Sequence, residues 1–475
     1  MLSDTPEARS GAPLPDGRID EVYAALVNAL GQAQVVRDPQ AMSAHAGDWS
    51  EAQPTTPALL LLPRTPQQVA AALAACARLG QRVVVQGGLT GLAGGATPLG
   101  AEVALSLKKL DAIEEIDTVG GTAVVQAGVV LEELQRAVQA QGWYFPLDLG
   151  ARGSCQIGGN AATNAGGNRV IRYGTMRELV LGLEVALPDG RLLTMLNRVT
   201  KNTTGIDLKH LFIGAEGALG VITRLVLKLS PRPTASATAL CAFDSFECAT
   251  RLLRELRTAL PSLSAFELMW SDFVEAAMEV SSLRQPFGTA YPVYALIETL
   301  GSSEAQERQQ LEHLLGEALQ AGTVSDAVVA QSLDDAQRLW AYRESVAELL
   351  ARLKPFAAFD VGIPMVAMDA FVESVRDALE RRFPAQRHLF FGHIGDGNLH
   401  VMSGPHERAE SLHQVEEVVY AATARMNGSI SAEHGIGVIK KEFLHLSRSP
   451  DEVELMRSLK GLLDPAGILN AGRIF

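Results

Sequence analysis

The stretch Gln86-Gly-Gly-Leu-Thr-Gly-Leu-Ala-Gly-Gly95 contains five glycines in ten residues and follows the apolar run Val83-Val84-Val85. An apolar run followed by glycines predicts a buried strand that ends in a loop. Glycine lets backbone N–H groups approach a ligand closely, and a nest of such dipoles suits a diphosphate. This loop alone is equally compatible with a tight connection between two strands.

Two more glycine-rich loops follow, Ile157-Gly-Gly-Asn-Ala-Ala-Thr-Asn-Ala-Gly-Gly167 and Gly214-Ala-Glu-Gly-Ala-Leu-Gly-Val-Ile-Thr223. Three such loops in one segment indicate a large ligand held by backbone groups. The first loop does not open a strand–GxGxxG–helix unit, and the sequence contains no GxxxxGK[ST] phosphate loop. The spacing therefore argues against a nicotinamide dinucleotide and a nucleoside triphosphate.

These loops, with Pro146-Leu-Asp-Leu-Gly150 and Lys201-Asn-Thr-Thr-Gly-Ile-Asp-Leu-Lys209, resemble the FAD-binding domain of the vanillyl-alcohol oxidase superfamily. The chain is most similar to its D-2-hydroxyacid dehydrogenases, which include D-lactate and D-2-hydroxyglutarate dehydrogenases and the glycolate oxidase flavoprotein subunit. The resemblance covers nearly everything from Thr56 to Phe475. It implies an α+β fold, with a two-subdomain FAD-binding domain and an α+β cap in which helices accompany an antiparallel sheet.

The resemblance also implies which residues bind FAD. The flavin loops contain no histidine or cysteine placed to attach the flavin ring, because their only reactive side chain, Cys155, lies before Ile157-Gly158-Gly159. We therefore expect non-covalent FAD. Near the C-terminus, Ile468-Leu-Asn-Ala-Gly-Arg473 resembles the family's Asn-Pro-Gly-Lys ending, with Ala471 and Arg473 substituted. The implied cofactor-binding residues are Gln86, Gly87, Gly88, Leu89, Thr90, Gly91, Leu92, Asp148, Gly150, Gly158, Gly159, Asn160, Thr163, Asn164, Gly166, Gly167, Glu216, Gly217, Val221, Ile222 and Asn470.

Composition excludes several other classes of protein. The 475 residues are 47% hydrophobic and 20% charged, which is typical of a globular chain with two or three domains. A formal net charge of −13 leaves no basic surface for nucleic acid. Four cysteines without CxxC spacing predict a reducing compartment. With no secretory signal and no membrane span in the sequence, we expect a cytoplasmic protein.

Hydrophobic patterning, together with what the resemblance implies, divides the chain into four parts. We expect an N-terminal extension with a helical segment (1–55), an FAD-binding domain (56–232), a substrate or cap domain (233–429) and a C-terminal segment that returns to the flavin (430–475). Met1–Gly17 is expected to be disordered and Arg18–Leu30 helical. Thr65 as N-cap and Pro66 at the first helical position predict a helix over Pro66–Leu79.

A metal-binding hairpin is predicted at Phe391-Gly-His-Ile-Gly-Asp-Gly-Asn-Leu-His-Val401. Asp396-Gly397 between apolar flanks is typical of a two-residue hairpin turn. That turn places His393 directly opposite His400, where opposed residues have Cβ atoms about 4.5–5.5 Å apart. Both imidazoles then reach one cation.

The resemblance assigns the metal to His393, His400 and Glu433, the last within Ser429-Ile-Ser-Ala-Glu-His-Gly-Ile-Gly437. The alternative is a set of scattered polar groups that cap turns. Two imidazoles and a carboxylate suit Zn²⁺, with Mn²⁺ or Fe²⁺ as alternatives. Adjacent His434 is then the candidate base, and Asn398 orients a ligand or binds substrate.

Arg343, in Leu339-Trp-Ala-Tyr-Arg-Glu344, matches the arginine that grips the substrate carboxylate in the family. The alternative is a surface arginine paired with Glu344 or Glu348. The chain departs from the 2-hydroxyglutarate enzymes at Ala358 and Ala347, where those enzymes carry a lysine and a threonine. Loss of both groups makes a dicarboxylate substrate doubtful and favours a D-lactate-like acid.

The sequence therefore predicts an FAD- and metal-dependent D-2-hydroxyacid dehydrogenase that passes electrons to a separate acceptor, such as electron-transfer flavoprotein, a quinone or a cytochrome. D-2-hydroxyglutarate is the alternative substrate, and a homodimer is one compatible assembly. Three rival functions remain: an ether-lipid synthase of the same superfamily, a non-catalytic flavoprotein subunit of a larger oxidase, and a zinc hydrolase. The intact histidine, glutamate and arginine set argues against a purely structural subunit, and a hydrolase leaves the glycine loops unexplained.

Overall fold

The computed structural model describes residues 16–475 of the protein. The described chain forms two units, one from residues 16–165, 175–232 and 433–475, the other from 166–174 and 233–432. The predicted disorder at the N-terminus falls outside the described residues up to position 15. Asp16 and Gly17 belong to the first helix, which confirms and extends the helix predicted from Arg18.

Within residues 16–475 the strands form four sheets. In chain order they are β1 Val35–Val36, β2 Leu59–Leu61, β3 Val83–Gln86, β4 Val103–Ser106, β5 Ile113–Asp117, β6 Thr122–Gln126, β7 Trp143–Tyr144, β8 Val180–Ala186, β9 Leu192–Met195, β10 Val221–Lys228, β11 Ser230–Pro231, β12 Ala235–Phe243, β13 Leu263–Trp270, β14 Val293–Gly301, β15 Asp326–Val329, β16 Ala357–Gly362, β17 Arg387–His393 and β18 Asn398–Gly404.

The α-helices are α1 Asp16–Leu30, α2 Pro39–Ser43, α3 Pro66–Leu79, α4 Leu131–Gln139, α5 Ile157–Ala162, α6 Val170–Tyr173, α7 Met176–Leu179, α8 Phe246–Ala259, α9 Ser271–Ser281, α10 Glu304–Gln320, α11 Leu333–Glu344, α12 Val346–Arg352, α13 Met368–Arg382, α14 Ala409–Arg425 and α15 Pro450–Leu463. Among residues 16–475, no helix combines the length and the apolar composition that crossing a bilayer requires.

The first unit begins with a β-α-β arrangement that leads into the first glycine loop. Strands β2, β4 and β3 run parallel in a four-stranded sheet of order β1-β2-β4-β3, and α3 connects β2 to β3. Helix α3 has the predicted bounds because the Thr65 side chain accepts from the Gln68 N–H and Gly80 ends the helix with φ 60°. Strand β3 is buried at Val83 and Val84, so its end is a rigid support for the loop.

A second sheet and the C-terminal segment complete this unit. The sheet is antiparallel in the order β5-β6-β10-β8-β9. Strands β8 and β9 form a hairpin around Pro188-Asp-Gly190, a sequence that predicts such a turn. The C-terminal segment lies against β3, where the Asn470 N–H donates to the Val83 carbonyl at 2.9 Å and the Asn470 Oδ1 accepts from the Val85 N–H at 2.9 Å.

The second unit is built on a seven-stranded antiparallel sheet of order β15-β12-β14-β13-β17-β18-β16. Every residue of β13 is buried, and Leu240, Tyr294 and Met269 pack with α9 in one apolar cluster. An antiparallel sheet accompanied by helices confirms the predicted α+β class.

A buried hydrogen-bonded chain joins β17 and β18. His388 Nε2 lies 3.2 Å from the Phe383 carbonyl, and His388 Nδ1 lies 2.9 Å from Ser403 Oγ. Ser403 Oγ in turn lies 2.8 Å from His406 Nε2. A carbonyl only accepts, so His388 donates to Phe383 and accepts from Ser403, which accepts from His406. This arrangement uses two neutral imidazoles, and burial lowers the pKa of both.

This chain predicts a stability that falls on acidification. Because the pKa of each imidazole is lowered in the folded protein, the unfolded chain binds more protons below a pH of about 6.5. We expect the free energy of unfolding to fall below that pH by at most about 1.4 kcal/mol per pH unit for each histidine. Denaturant unfolding between pH 7.5 and 5.5 measures this slope, which should be shallower in His406→Gln. Replacement of surface His313 is the control, and equal slopes for His406→Gln and the parent would contradict the prediction.

Candidate functional site

The first glycine loop follows β3 and offers a row of backbone N–H groups. None of the N–H groups of residues 87–95 donates to another group within residues 16–475. The loop is held from behind, because Gln86 Nε2 donates to the carbonyls of His45 and Ala96. Asp48 also accepts from the Ala96 N–H at 3.2 Å. A rigid row of unpaired N–H groups fits the diphosphate of a dinucleotide.

Backbone strain is concentrated in the same set of loops. Seven described residues other than glycine have positive φ, and four of them are predicted flavin residues: Leu89 at 58°, Asn164 at 53°, Glu216 at 48° and Asn470 at 41°. Such conformations disfavour a side chain and persist where the surrounding structure fixes them, often at ligand sites. Their distribution supports a ligand-binding role for these loops.

The third glycine loop is tied to α5 and to the C-terminal segment. The prediction of a loop throughout residues 157–167 is wrong, because Ile157–Ala162 forms α5. The Gly214 and Glu216 N–H groups donate to the carbonyls of Ala161 and Ala162 at 3.0 and 2.8 Å. The Glu216 carboxylate accepts from the N–H groups of Ile436 and Gly437. Burial raises the pKa of Glu216, although these two N–H groups oppose the rise. The Asn470 side chain donates to the Glu216 carbonyl, so it spans β3 and the third loop.

Several predicted flavin residues have side chains already engaged in the protein. The Gln86 side chain is occupied by His45 and Ala96, so only its backbone remains for a ligand. Asp148 pairs with Arg152 at 2.6 Å, and Asn160 lies against Cys155. Gly166 and Gly167 belong to the second unit, whereas the other predicted flavin residues belong to the first. Sequence reasoning missed the support that Asp48 gives to the loop.

The predicted metal ligands lie together, but the predicted hairpin register is wrong. Potential ligand atoms of His393, His400 and Glu433 lie within 4.8 Å of one another. His400 faces Phe391 rather than His393, and Ile394–Asp396 forms a 3-10 turn. His393 instead faces Glu267 of β13. A shift of two residues keeps a side chain on the same face of a sheet, so the two imidazole centroids are still 5.3 Å apart.

Glu433 is positioned by the edge of the same sheet. Gly362 at the end of β16 exchanges backbone hydrogen bonds with Ser429, and the Ala432 N–H donates to the backbone and side chain of Asp360 at 3.0 and 3.1 Å. Asp360 is fully buried and faces His400 across β16 and β18. Glu433 follows Ala432 directly, so these bonds fix the backbone position from which the Glu433 side chain extends.

Glu267 and Arg343 form a buried ion pair beside His393. The Arg343 Nε donates to Glu267 Oε2 at 2.7 Å, and His393 Nδ1 lies 2.7 Å from Glu267 Oε1. The alternative of a surface arginine is wrong, because Arg343 is 7% exposed. Burial works to raise the pKa of Glu267, but the charges and hydrogen bonds of His393 and Arg343 outweigh it and hold this pKa below its ordinary value.

Asn398 presents a buried polar group that lacks a partner. Its side-chain nitrogen and oxygen are both buried and make no hydrogen bond within residues 16–475. Such a group normally has a partner, so this one indicates a ligand. His434 adjoins Glu433 and is half-buried. Sequence reasoning missed the role of Glu267, although a single acid within the apolar strand β13 was a usable signal.

Family models match most of the chain. The model for the FAD-binding domain matches residues 57–196, and the model described as "FAD linked oxidases, C-terminal domain" matches residues 232–474. The chain is 40% identical to the mitochondrial D-2-hydroxyglutarate dehydrogenase of Rattus norvegicus, covering 98% of this chain and 87% of the relative. It is 38% identical to the D-2-hydroxyglutarate dehydrogenase of Xanthomonas citri, covering 95% and 96%.

Solved structures show the same fold. The crystal structure of p-cresol methylhydroxylase with bound substrate matches with a TM-score of 0.78 and 14% identity, covering 98% of each chain. At this identity the match shows the fold alone, and it confirms the fold of the vanillyl-alcohol oxidase type.

Two neighbouring glycines provide a matched test of the first loop. A Cβ at Gly88 would lie 2.1 Å from the Ser154 carbonyl oxygen, whereas a Cβ at Gly87 would meet its nearest atom, Gln156 Oε1, at 3.6 Å. We expect Gly88→Ala to destabilise the protein by about 1–3 kcal/mol and to displace the loop, because a backbone atom cannot yield easily. Gly87→Ala should fold like the parent. Thermal unfolding and FAD content report both effects, and equal behaviour of the two variants would contradict this account.

Proposed function

Since the chain belongs to the family of FAD-linked oxidases, we propose that it is an FAD- and metal-dependent dehydrogenase that oxidises a D-2-hydroxyacid to a 2-oxoacid. The observation that carries this proposal is the grouping of His393, His400 and Glu433 beside buried Arg343, in a chain that also has three glycine loops. A hydrolase would have no use for the loops. A non-catalytic subunit would have no use for the metal ligands.

The residues fit the two groups that this chemistry needs. The N–H groups of residues 87–95 offer donors to a diphosphate. Cys155 is buried against Asn160, which supports non-covalent FAD. Two imidazoles and a carboxylate suit Zn²⁺, and Mn²⁺ or Fe²⁺ would accept the same ligands. FAD supplies a two-electron acceptor when it is bound, and the divalent cation supplies a Lewis acid for the substrate hydroxyl.

The protein's own residues bind the acid and move its proton. Arg343 pairs with the substrate carboxylate through its terminal nitrogens, because its Nε is held by Glu267. His434 takes the hydroxyl proton as general base, while the hydrogen on C2 leaves with both electrons of its bond. The buried Asn398 amide orients the bound acid. The products are a 2-oxoacid and a proton, and bound FAD would take the two electrons and deliver them to a separate acceptor.

Anaerobic bleaching of the flavin absorbance tests the proposed reaction. We expect one or more D-2-hydroxyacids to bleach the FAD, a chelator to abolish the bleaching and Zn²⁺ to restore it, whereas L-isomers should have no effect. His434→Gln should slow flavin reduction about a hundredfold or more, because loss of a general base commonly has that effect. The controls are metal content and FAD content of each sample. Failure of every acid with metal-replete, FAD-replete protein would overturn the proposal.

Substrate preference depends on whether the site can bind a second carboxylate, at the end of the acid away from the hydroxyl group. Ala358 faces Met402 across β16 and β18, and Met402 packs in an apolar cluster with Leu349 and Phe391. Neither Ala358 nor Ala347 can bind a second carboxylate, which favours a D-lactate-like acid. D-2-hydroxyglutarate is the second candidate, since this acid appears in the names of both relatives.

Restoring the two missing polar groups should change substrate preference. We expect Ala347→Thr combined with Ala358→Lys to raise kcat/KM for D-2-hydroxyglutarate relative to D-lactate by about tenfold or more, because one charged hydrogen bond contributes that much. Ala358→Leu is the control for size without charge. Steady-state rates with both acids and an artificial acceptor measure the ratio. A parent that already prefers the dicarboxylate would reject the D-lactate-like assignment.

The remaining features of the proposal are the electron acceptor, the location and the assembly. Electron-transfer flavoprotein, a quinone and a cytochrome each accept electrons from a reduced flavin. A cytoplasmic location stays a prediction, and the rat relative is named as mitochondrial. A homodimer stays a prediction.

A further inference from the structure

One buried carboxylate serves both the metal ligand and the substrate arginine. Glu267 is fully buried in β13, and its two oxygens are divided between two partners. Oε1 lies 2.7 Å from His393 Nδ1, and Oε2 accepts from Arg343 Nε at 2.7 Å. Nothing in the sequence motifs or the family match assigns a role to this residue.

The hydrogen bonds around His393 determine its tautomer. An ionised carboxylate only accepts, and His393 Nδ1 lies 2.7 Å from Glu267 Oε1, so Nδ1 carries the hydrogen and donates to it. In the neutral imidazole Nε2 then carries the lone pair, and Arg343 Nη2 lies 3.4 Å from this nitrogen. This is the tautomer that binds a metal through Nε2, and a carboxylate on the other ring nitrogen also makes the imidazole a stronger ligand.

Glu267 also determines how Arg343 is presented. The carboxylate holds Nε, and the guanidinium stacks over the Phe391 ring at 4.6 Å from its centroid. These two contacts fix the plane of the guanidinium and direct Nη2 toward the same His393 nitrogen. The terminal nitrogens thus remain on the side where the metal ligand is, which suits a substrate that offers a carboxylate and an adjacent hydroxyl.

We propose that Glu267 is a positioning residue that sets both the His393 tautomer and the Arg343 orientation, and so couples metal binding to recognition of the substrate carboxylate. This inference rests on the proposed function for the identity of the metal ligands. Its chemical basis is that two donors, the His393 Nδ1–H and the Arg343 Nε–H, share one anionic acceptor. A neutral amide of the same shape cannot serve both, since one side of it is a donor.

Glu267→Gln tests the proposal with a side chain of nearly equal volume. Zn²⁺ affinity, measured by competition with a chromophoric chelator, should fall about 10- to 100-fold. The visible absorption spectrum of the Co²⁺-loaded variant should also change, because the coordination of His393 is altered. At saturating metal we expect KM for the 2-hydroxyacid to rise, because Arg343 is no longer held in place. The change in kcat should be smaller.

Glu298→Gln is the matched control. Glu298 is also buried in this sheet and also pairs with an arginine, through Arg169 Nε at 3.1 Å, but it contacts none of the proposed ligands. It should leave Zn²⁺ affinity and the Co²⁺ spectrum unchanged, even if it lowers the unfolding temperature. Thermal unfolding of both variants separates metal effects from folding effects, and Glu267→Asp keeps the charge if the glutamine variant fails to fold.

The outcomes separate this inference from the proposed function. Equal Zn²⁺ affinity in the parent, Glu267→Gln and Glu298→Gln would overturn the positioning role and leave the metal assignment intact. An equal loss of affinity in both variants would also overturn it, because the effect would then be general to the sheet. A parent that binds no divalent cation would instead reject the metal part of the proposed function.

Discussion

Polar groups withdrawn from water must find partners, and this requirement governs both parts of the candidate site. In the first unit, the loop that leaves β3 is supported from behind by Gln86 and Asp48, while its own N–H groups make no internal bond within residues 16–475. In the second unit, the buried Asn398 side-chain amide likewise makes no hydrogen bond within the described residues. A flavin diphosphate and a bound hydroxyacid are the partners that this chemistry favours.

The two units solve different physical problems. The first holds a large ligand with backbone, so it uses glycines, strained turns and a C-terminal segment in which Asn470 connects β3 to the third loop. The second must place charged side chains in an apolar sheet. It does so with two buried acids, Glu267 for His393 and Arg343, and Asp360 for the backbone before Glu433. Neither acid is a proposed ligand itself. Glu267 contacts side chains that are expected to act, and Asp360 contacts the backbone beside one.

Local patterns in the sequence predicted local structure well. Helix α3 and the β8–β9 hairpin follow from a capping threonine, an initial proline and a Pro-Asp-Gly turn, all of which act within a few residues. The register of β17 and β18 did not follow, because His393 pairs with β13 and this long-range pairing overrides the two-residue turn. Glu267 was missed for the same reason, since its partners lie 76 and 126 residues away. The hairpin pattern placed His393 near His400, although in the wrong register, whereas Glu433 was added from family resemblance.

The proposed reaction transfers a hydride from C2 of a D-2-hydroxyacid to the flavin. The most direct measurement is the rate of anaerobic flavin reduction after rapid mixing of FAD- and Zn²⁺-loaded protein with D-lactate or D-2-hydroxyglutarate, each with hydrogen or deuterium at C2. We expect flavin reduction by at least one of these acids and a slower rate with deuterium, because the C2–H bond breaks as the flavin is reduced. Flavin that stays oxidised with both acids would contradict the proposed reaction.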